Sequence, residues 1–162
     1  MKYLFLDIDG VLNSYKYDKE RGENNTENID GTRLDLVKEI IDKTGAKIVL
    51  TSTWRKHWEK GEAFCDKIGK ELNETFKKHG LEIYDKTPSI DYLERGIEIR
   101  AYLSDRMEDL EAFCIVDDMM YGWDDDLSHY FVQTNPRIGY GLEKRHVEKI
   151  IEVLNSNKGT TY

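Results

Sequence analysis

The sequence predicts an α/β fold, a Rossmann-like three-layer α/β/α sandwich with a mostly parallel central sheet. Short apolar segments typical of buried strands alternate along the chain with segments of helical periodicity. The connections between these segments are short, which favours right-handed crossovers between neighbouring parallel strands. The chain has 162 residues, so we expect one domain rather than two.

Five segments have the composition of buried strands. The first is mostly apolar with little alternation, as expected of a strand covered on both faces of a parallel sheet. The last is expected to lie at the edge of the sheet and to end at Pro136. The predicted strands cover residues 2–8, 46–53, 81–85, 113–118 and 130–135.

Four helices are predicted from apolar residues that recur on one helical face. They cover about residues 34–44, 62–79, 95–105 and 143–154. In the second of these segments Phe64, Ile68, Leu72 and Phe76 recur every four residues and Gly80 follows as a terminator, which predicts a helix.

Residues 13–33 lack apolar periodicity and are predicted to form an ordered or semi-mobile flap. We predict a single domain over residues 1–155, followed by a frayed tail over residues 156–162.

Composition narrows the class of protein. The net charge of −8 would repel a polyanion on average but would attract a divalent cation. Cys65 and Cys114 are too few for a disulfide framework and have no zinc-ligand spacing. No apolar run is long enough to cross a membrane and no signal-peptide pattern is present, so a cytoplasmic location is expected.

Two apolar strands end in pairs of carboxylates. Asp7 and Asp9 follow the first strand, and Asp117 and Asp118 follow the fourth. In a parallel sheet these ends meet at one edge, where so many like charges are unfavourable unless a cation lies between them. Oxygen ligands suit Mg²⁺. An isolated Asp-x-Asp-Gly could be only a turn, and a calcium-binding loop does not fit because Gly10 stands at the fourth position.

Three of these segments resemble the motifs of a known family. "LFLDIDGVLN" resembles the first motif of the haloacid dehalogenase (HAD) superfamily of phosphohydrolases, "IVLTSTWR" the second and "CIVDDMM" the fourth, in the same order. Their details are similar to the small capless branch typified by the HAD domain of Swiss Army Knife RNA repair proteins. The resemblance implies a Rossmann-like fold and magnesium-dependent phosphatase activity.

The resemblance also implies roles for the four acidic residues. Asp7 would be the nucleophile that forms an aspartyl-phosphate, and Asp9 the general acid and then the general base. Mg²⁺ would be held by Asp7, by the backbone carbonyl of Asp9 and by Asp117, with Asp118 as a direct or an indirect ligand.

Further residues are predicted to bind the substrate phosphate. Ser52 would donate a hydrogen bond to a phosphoryl oxygen, with Thr51 as the alternative because the strand end could be displaced by one residue. Backbone N–H groups around Gly10 would do the same, and Thr53 is a further candidate. Arg55 could bind a second phosphate or could pair with an acid instead.

The family usually supplies a lysine at its third motif, where the helix before the fourth-motif strand begins. No lysine stands there in this chain, since Lys86 comes earlier. Arg95 stands at the right place and is predicted to substitute for the lysine. The alternative is an exposed surface arginine.

Several neighbouring residues have two interpretations. Trp54 and Trp58 could line the substrate entrance, but packing under the following helix is favoured. Tyr15 and Tyr17 could contact the substrate or pack the flap. The acidic run at 123–126 could help to hold the metal through Asp124, but a solvated loop is favoured.

The function predicted from these features is a magnesium-dependent phosphomonoesterase. Relatives in the family often insert a large cap domain, but no connection in this chain is long enough to hold one, so the resemblance implies an open site. Such a site would suit a phosphate carried by a large molecule such as a nucleic acid end. The resemblance favours nucleic acid, whereas the acidic net charge disfavours it. The alternatives are a phosphatase of nucleotides or other small molecules, and a non-catalytic phosphate-binding module. The sequence does not fix the oligomeric state.

Overall fold

A computed structural model describes residues 1–90, 94–120 and 125–156. In these ranges the strands are Lys2–Leu6 (β1), Lys47–Leu50 (β2), Ile83–Lys86 (β3), Ala112–Asp117 (β4) and Phe131–Gln133 (β5). The helices there are Tyr15–Arg21 (α1), Gly31–Thr44 (α2), Lys67–Lys78 (α3), Arg95–Ser104 (α4), Asp125–Ser128 (α5) and Lys144–Asn155 (α6). Short 3₁₀ turns lie at Thr53–His57 and Glu62–Phe64. The predicted tail from residue 157 onward lies outside the described residues.

The strands form one parallel sheet in the order β3-β2-β1-β4-β5. This order places β1 at the centre and β5 at an edge, as expected for the last strand. The fold is therefore the predicted α/β sandwich with a parallel sheet, and no large cap domain is evident in the described ranges.

Two hydrophobic clusters cover the two faces of the sheet. Alternate residues of a strand point to opposite faces, so Leu4 and Leu6 join the cluster that contains α2, α3 and α6. Tyr3 and Phe5 join the other cluster, in which Tyr102 of α4 packs edge-on against both rings. Helices on both faces give the three layers.

The flap is more regular than the sequence predicts. Residues 15–21 form α1, which starts after Ser14, whose hydroxyl accepts a hydrogen bond from the Tyr17 backbone N–H at 3.1 Å. No residue of α1 is buried, so this helix leaves no apolar periodicity in the sequence. The next helix, α2, begins at Gly31 because Asp30 caps it, three residues before the predicted start.

The predicted helix over 62–79 is wrong in its first third. Asp66 caps α3, so the segment before it forms a separate 3₁₀ turn. Phe64 is 78% exposed and Ile68 is 41% exposed, whereas Leu72 and Phe76 are buried. The four-residue repeat therefore spans two elements and has only two residues in the core.

No helix within the described ranges is both long and apolar enough to span a membrane.

The segment 134–142 supports the loop that follows β1. The Thr134 hydroxyl donates to the Gly10 carbonyl at 2.8 Å, and the Leu142 N–H donates to the Val11 carbonyl at 2.8 Å. Gly141 has φ of +88°, and a Cβ added there would lie 2.6 Å from the Val11 oxygen. Only glycine allows these two segments to approach so closely.

We predict that Gly141→Ala destabilises the protein by about 3 kcal/mol, because the new methyl group combines backbone strain with a clash. Gly45→Ala is the matched control, since Gly45 also has positive φ but nothing lies within 4 Å of an added Cβ. It is expected to cost about 1 kcal/mol. Urea unfolding of both variants measures the two losses in the free energy of unfolding. Equal losses would show that neighbouring atoms relieve the clash at no cost in free energy.

Candidate active site

A pocket of about 580 Å³ opens at the carboxyl edge of the sheet. The strands β1, β2 and β4 end together there, because Leu6 pairs with Leu50 on one side and with Val116 on the other. The predicted site residues that line the pocket are Asp7, Asp9, Gly10, Ser52, Thr53, Arg95 and Asp118.

Three of the four predicted acidic residues converge. Asp7, Asp117 and Asp118 each place a carboxylate oxygen within 4.8 Å of the others, and the first two side chains are buried. The Asp9 side chain is not part of this cluster, and the contribution of its backbone carbonyl stays a prediction. Carboxylate oxygens are the ligands that hard divalent cations prefer, so this donor set fits such an ion.

Burial makes this cluster electrostatically unfavourable without a cation. Burial, followed by the charge of Asp117, raises the pKa of Asp7 to about 7, although the Arg95 guanidinium opposes the shift. The pKa of Asp118 is also raised, first by partial burial and then by Asp117. A divalent ion would supply the missing positive charge.

Arg95 lies inside the site. It is the first residue of α4, and its Nη1 atom lies 2.6 Å from Asp117 Oδ2 and 3.0 Å from Asp7 Oδ1. Only 13% of the side chain is exposed, so the alternative of an exposed surface arginine is wrong. Arg95 therefore occupies a position from which it can contact a phosphoryl group at Asp7, as predicted for the third motif.

Gly10 lines the pocket at a position where a larger residue would not fit. Its φ is +83°, and an added Cβ would lie 2.5 Å from the Asp118 carboxylate. The Gly10 N–H donates to Asn13 Oδ1 at 2.8 Å, so this group already has a partner. Whether other backbone N–H groups around Gly10 donate to a phosphate stays a prediction.

The second motif presents Ser52 rather than Thr51 to the pocket. Ser52 lines the pocket, and its hydroxyl oxygen accepts a hydrogen bond from the Trp54 backbone N–H at 3.2 Å. Thr51 is buried outside the lining, and its Oγ1 has no hydrogen-bond partner among the described residues. Thr53 is exposed and also lines the pocket.

Arg55 is not brought to the pocket, contrary to the prediction that it binds phosphate. Its guanidinium is buried and pairs with the buried carboxylate of Glu98 at 2.7 Å. The same group donates to the Thr51 carbonyl. Arg55 therefore pairs with an acid and links the 3₁₀ turn after β2 to α4. Lys86 likewise points elsewhere, towards Glu59 at 2.7 Å.

The two tryptophans after the second motif have different environments. Trp58 is buried, and its indole N–H donates to Asn73 at 2.8 Å, so packing is confirmed there. Trp54 lines the pocket, and its indole N–H donates to Asp9 Oδ2 at 3.0 Å. Trp54 also packs against the hydrophobic core, as favoured, so it has both of the environments considered for it.

Sequence reasoning missed Asn13, which ends the first motif. Its Nδ2 donates to Asp9 Oδ1 at 2.9 Å and to the Asn28 carbonyl at 3.1 Å. The signal was available, because an amide three residues after Gly10 can bond back to the loop that contains it.

The flap forms one wall of the pocket. Tyr15 lines the pocket and is 66% exposed, so it remains available for a substrate. Tyr17 instead packs the flap, since its hydroxyl donates to the carbonyls of Glu27 and Ile29. Asp124, the other candidate metal ligand, lies outside the described residues.

The comparisons with known proteins agree with this geometry. A family model described as the HAD domain in Swiss Army Knife RNA repair proteins matches residues 3–147. The match extends from β1 into the first turn of α6 and includes every residue of the pocket. No curated protein and no solved structure matches the chain at a significant level.

We predict that Asp7→Asn stabilises the metal-free protein by about 4 kcal/mol at pH 8 but not at pH 4. The folded state holds the Asp7 proton more tightly than the unfolded state, because burial raises the pKa of Asp7 from 3.8 to about 7. The wild type therefore loses stability as the pH rises through this interval, whereas the neutral amide does not. Thermal unfolding in a chelator at several pH values measures the effect.

Asp42→Asn is the control for this prediction, because Asp42 is an exposed residue of α2 that pairs with Lys38. Asp42→Asn should change the free energy of unfolding by less than about 1 kcal/mol at either pH, because an exposed ion pair contributes little. The prediction would be contradicted if Asp7→Asn and the wild type differ in stability by the same amount at both pH values.

Proposed function

The chain belongs to the family of HAD domains found in Swiss Army Knife RNA repair proteins, and on this premise we propose that it is a magnesium-dependent phosphomonoesterase. The observation that carries the proposal is the convergence of Asp117, Asp118 and Arg95 on the buried carboxylate of Asp7. The family supports a phosphatase-like activity in general. The metal, the intermediate and the substrate are our proposals.

In the first half of the reaction, an oxygen of Asp7 attacks phosphorus and forms an aspartyl-phosphate. The ester P–O bond breaks, its electron pair stays on the leaving oxygen, and Asp9 gives that oxygen a proton. In the second half, a water molecule gives a proton to Asp9 while its oxygen bonds to phosphorus. The bond from phosphorus to Asp7 then breaks, and inorganic phosphate is released.

The other residues of the pocket bind and orient the phosphoryl group. The Ser52 hydroxyl and the Arg95 guanidinium would donate to its oxygens, a role supported by their position in the pocket lining, which also includes Thr53. Arg95 has forked N–H donors that can bond to two phosphoryl oxygens, which a lysine cannot do in the same way.

Asp7, Asp117 and Asp118 would hold the ion, together with the Asp9 carbonyl proposed from the family motif. A bound Mg²⁺ would offset the repulsion between the Asp7 carboxylate and an anionic phosphate.

We propose a phosphate on a large molecule, such as a nucleic acid end, as the substrate. The family description supports this choice, and so does the lack of an evident cap over the described part of the pocket. A phosphatase of nucleotides or other small molecules is the second candidate. It is favoured by the flap, since Tyr15, Asp18 and Arg21 of α1 form a wall beside the catalytic residues.

We predict that the purified protein hydrolyses p-nitrophenyl phosphate with added Mg²⁺ and not in a chelator. Asp7→Asn should lower the rate by at least about 1,000-fold, because an amide cannot form the acyl-phosphate. Asp42→Asn should keep the wild-type rate. Equal hydrolysis by the wild type and Asp7→Asn would contradict the mechanism, and no hydrolysis by folded wild type would favour a binding module.

We predict that an RNA oligonucleotide with a terminal phosphate has a kcat/KM at least about tenfold above that of a mononucleotide, because a large substrate adds binding energy remote from the phosphate. Oligonucleotides with a 3′ or a 5′ phosphate, tested separately with released phosphate as the readout, would define the preferred end. Better hydrolysis of the mononucleotide would support the second candidate.

A further inference from the structure

We propose that Trp54 and Asn13 are positioning residues that hold the Asp9 carboxylate in place for proton transfer, an inference that rests on the function proposed above. Each oxygen of this carboxylate has its own donor. The Trp54 indole N–H lies 3.0 Å from Oδ2, and the Asn13 amide nitrogen lies 2.9 Å from Oδ1. These contacts fix both the direction and the rotation of the carboxylate.

The Asn13 side chain has its orientation set by backbone groups. Its Oδ1 accepts from the Gly10 N–H at 2.8 Å, and its Nδ2 donates to the Asn28 carbonyl at 3.1 Å. A backbone N–H can only donate and a carbonyl can only accept, so the amide cannot be reversed. Its nitrogen must therefore face Asp9.

The indole of Trp54 is held by the second motif. The Thr53–His57 turn begins after Ser52, whose hydroxyl oxygen accepts from the Trp54 backbone N–H at 3.2 Å. This turn follows β2, which pairs directly with β1, and Asp9 lies in the loop that follows β1. An indole N–H is a donor only, so Trp54 requires an acceptor at this place.

Asp9 needs such support because its side chain is exposed in the pocket. An exposed carboxylate without partners samples several rotamers, and only some of them direct a proton towards the leaving oxygen. Two donors on separate oxygens remove this freedom before substrate binds. The benefit applies only to the proton-transfer step, and it is larger for a leaving group that depends more on protonation.

The test compares two esters of similar size, phenyl phosphate and p-nitrophenyl phosphate, in the presence of Mg²⁺. Phenolate is a poor leaving group that needs a proton, whereas p-nitrophenolate departs without one. The quantity measured is kcat/KM, which reports the steps up to departure of the leaving group. Trp54→Phe should lower kcat/KM by about tenfold for phenyl phosphate and by less than about threefold for p-nitrophenyl phosphate.

Trp58→Phe is the matched control, because it also removes an indole N–H, but one that bonds to Asn73 away from the pocket. It should leave the ratio of the two kcat/KM values unchanged. Asn13→Ala removes the donor of the other oxygen and should give the same selective loss as Trp54→Phe. The ratio is independent of the folded fraction, since both esters are measured on one preparation.

The positioning role would be overturned if Trp54→Phe and Asn13→Ala both keep the wild-type ratio of kcat/KM for the two esters. Activity of the wild type would in that case leave the proposed function intact. A wild type that hydrolyses neither ester would overturn the proposed function, and the inference with it.

Discussion

Three carboxylates lie together at the carboxyl end of the central strand, and the rest of the structure has to hold them there against their mutual repulsion. Asp7, Asp117 and Asp118 lie within 4.8 Å of one another, where their mutual repulsion is costly in a buried environment. Within the described ranges, the Arg95 guanidinium contacts two of them. The surrounding elements are best understood as supports that hold these charges at fixed positions despite their repulsion.

Two of these supports lie outside the pocket. The buried pair between Arg55 and Glu98 joins the turn after β2 to α4, one helical turn beyond Arg95, and so helps to fix the start of that helix. On the other side, the segment 134–142 holds the loop that contains Gly10 through hydrogen bonds to its carbonyls. A buried ion pair of this kind contributes mainly through the cost of breaking it.

Much of the site could be predicted because the carboxyl ends of neighbouring parallel strands lie at the same edge of the sheet. Asp7, Asp117 and Asp118 follow apolar strands, and Arg95 opens a helix, so topology alone brings them to one edge. The environment of Arg55 was harder to predict, because a polar residue after a motif can face the pocket or an internal partner. Its partner Glu98 lies far from Arg55 in the sequence.

Other features left no signal of the kind that periodicity detects. Helix α1 buries no residue, so its pattern is that of a loop. Phe64 continues a helical spacing that the Asp66 cap interrupts. The direction of the Trp54 indole depends on a turn whose geometry is set by one hydroxyl, and it becomes visible only when Asp9 is placed opposite.

The strand order determines when during synthesis the strands of the sheet can pair. β1 is synthesised first but lies between β2 and β4, and the latter begins more than 100 residues later, at Ala112. A nascent chain therefore carries Asp7 without Asp117 beside it until more than 100 further residues have been added. Pairing of distant strands is slow compared with local helix formation, so we expect the acidic cluster to assemble late in folding. By that stage most of the surrounding structure is available to stabilise the repelling charges.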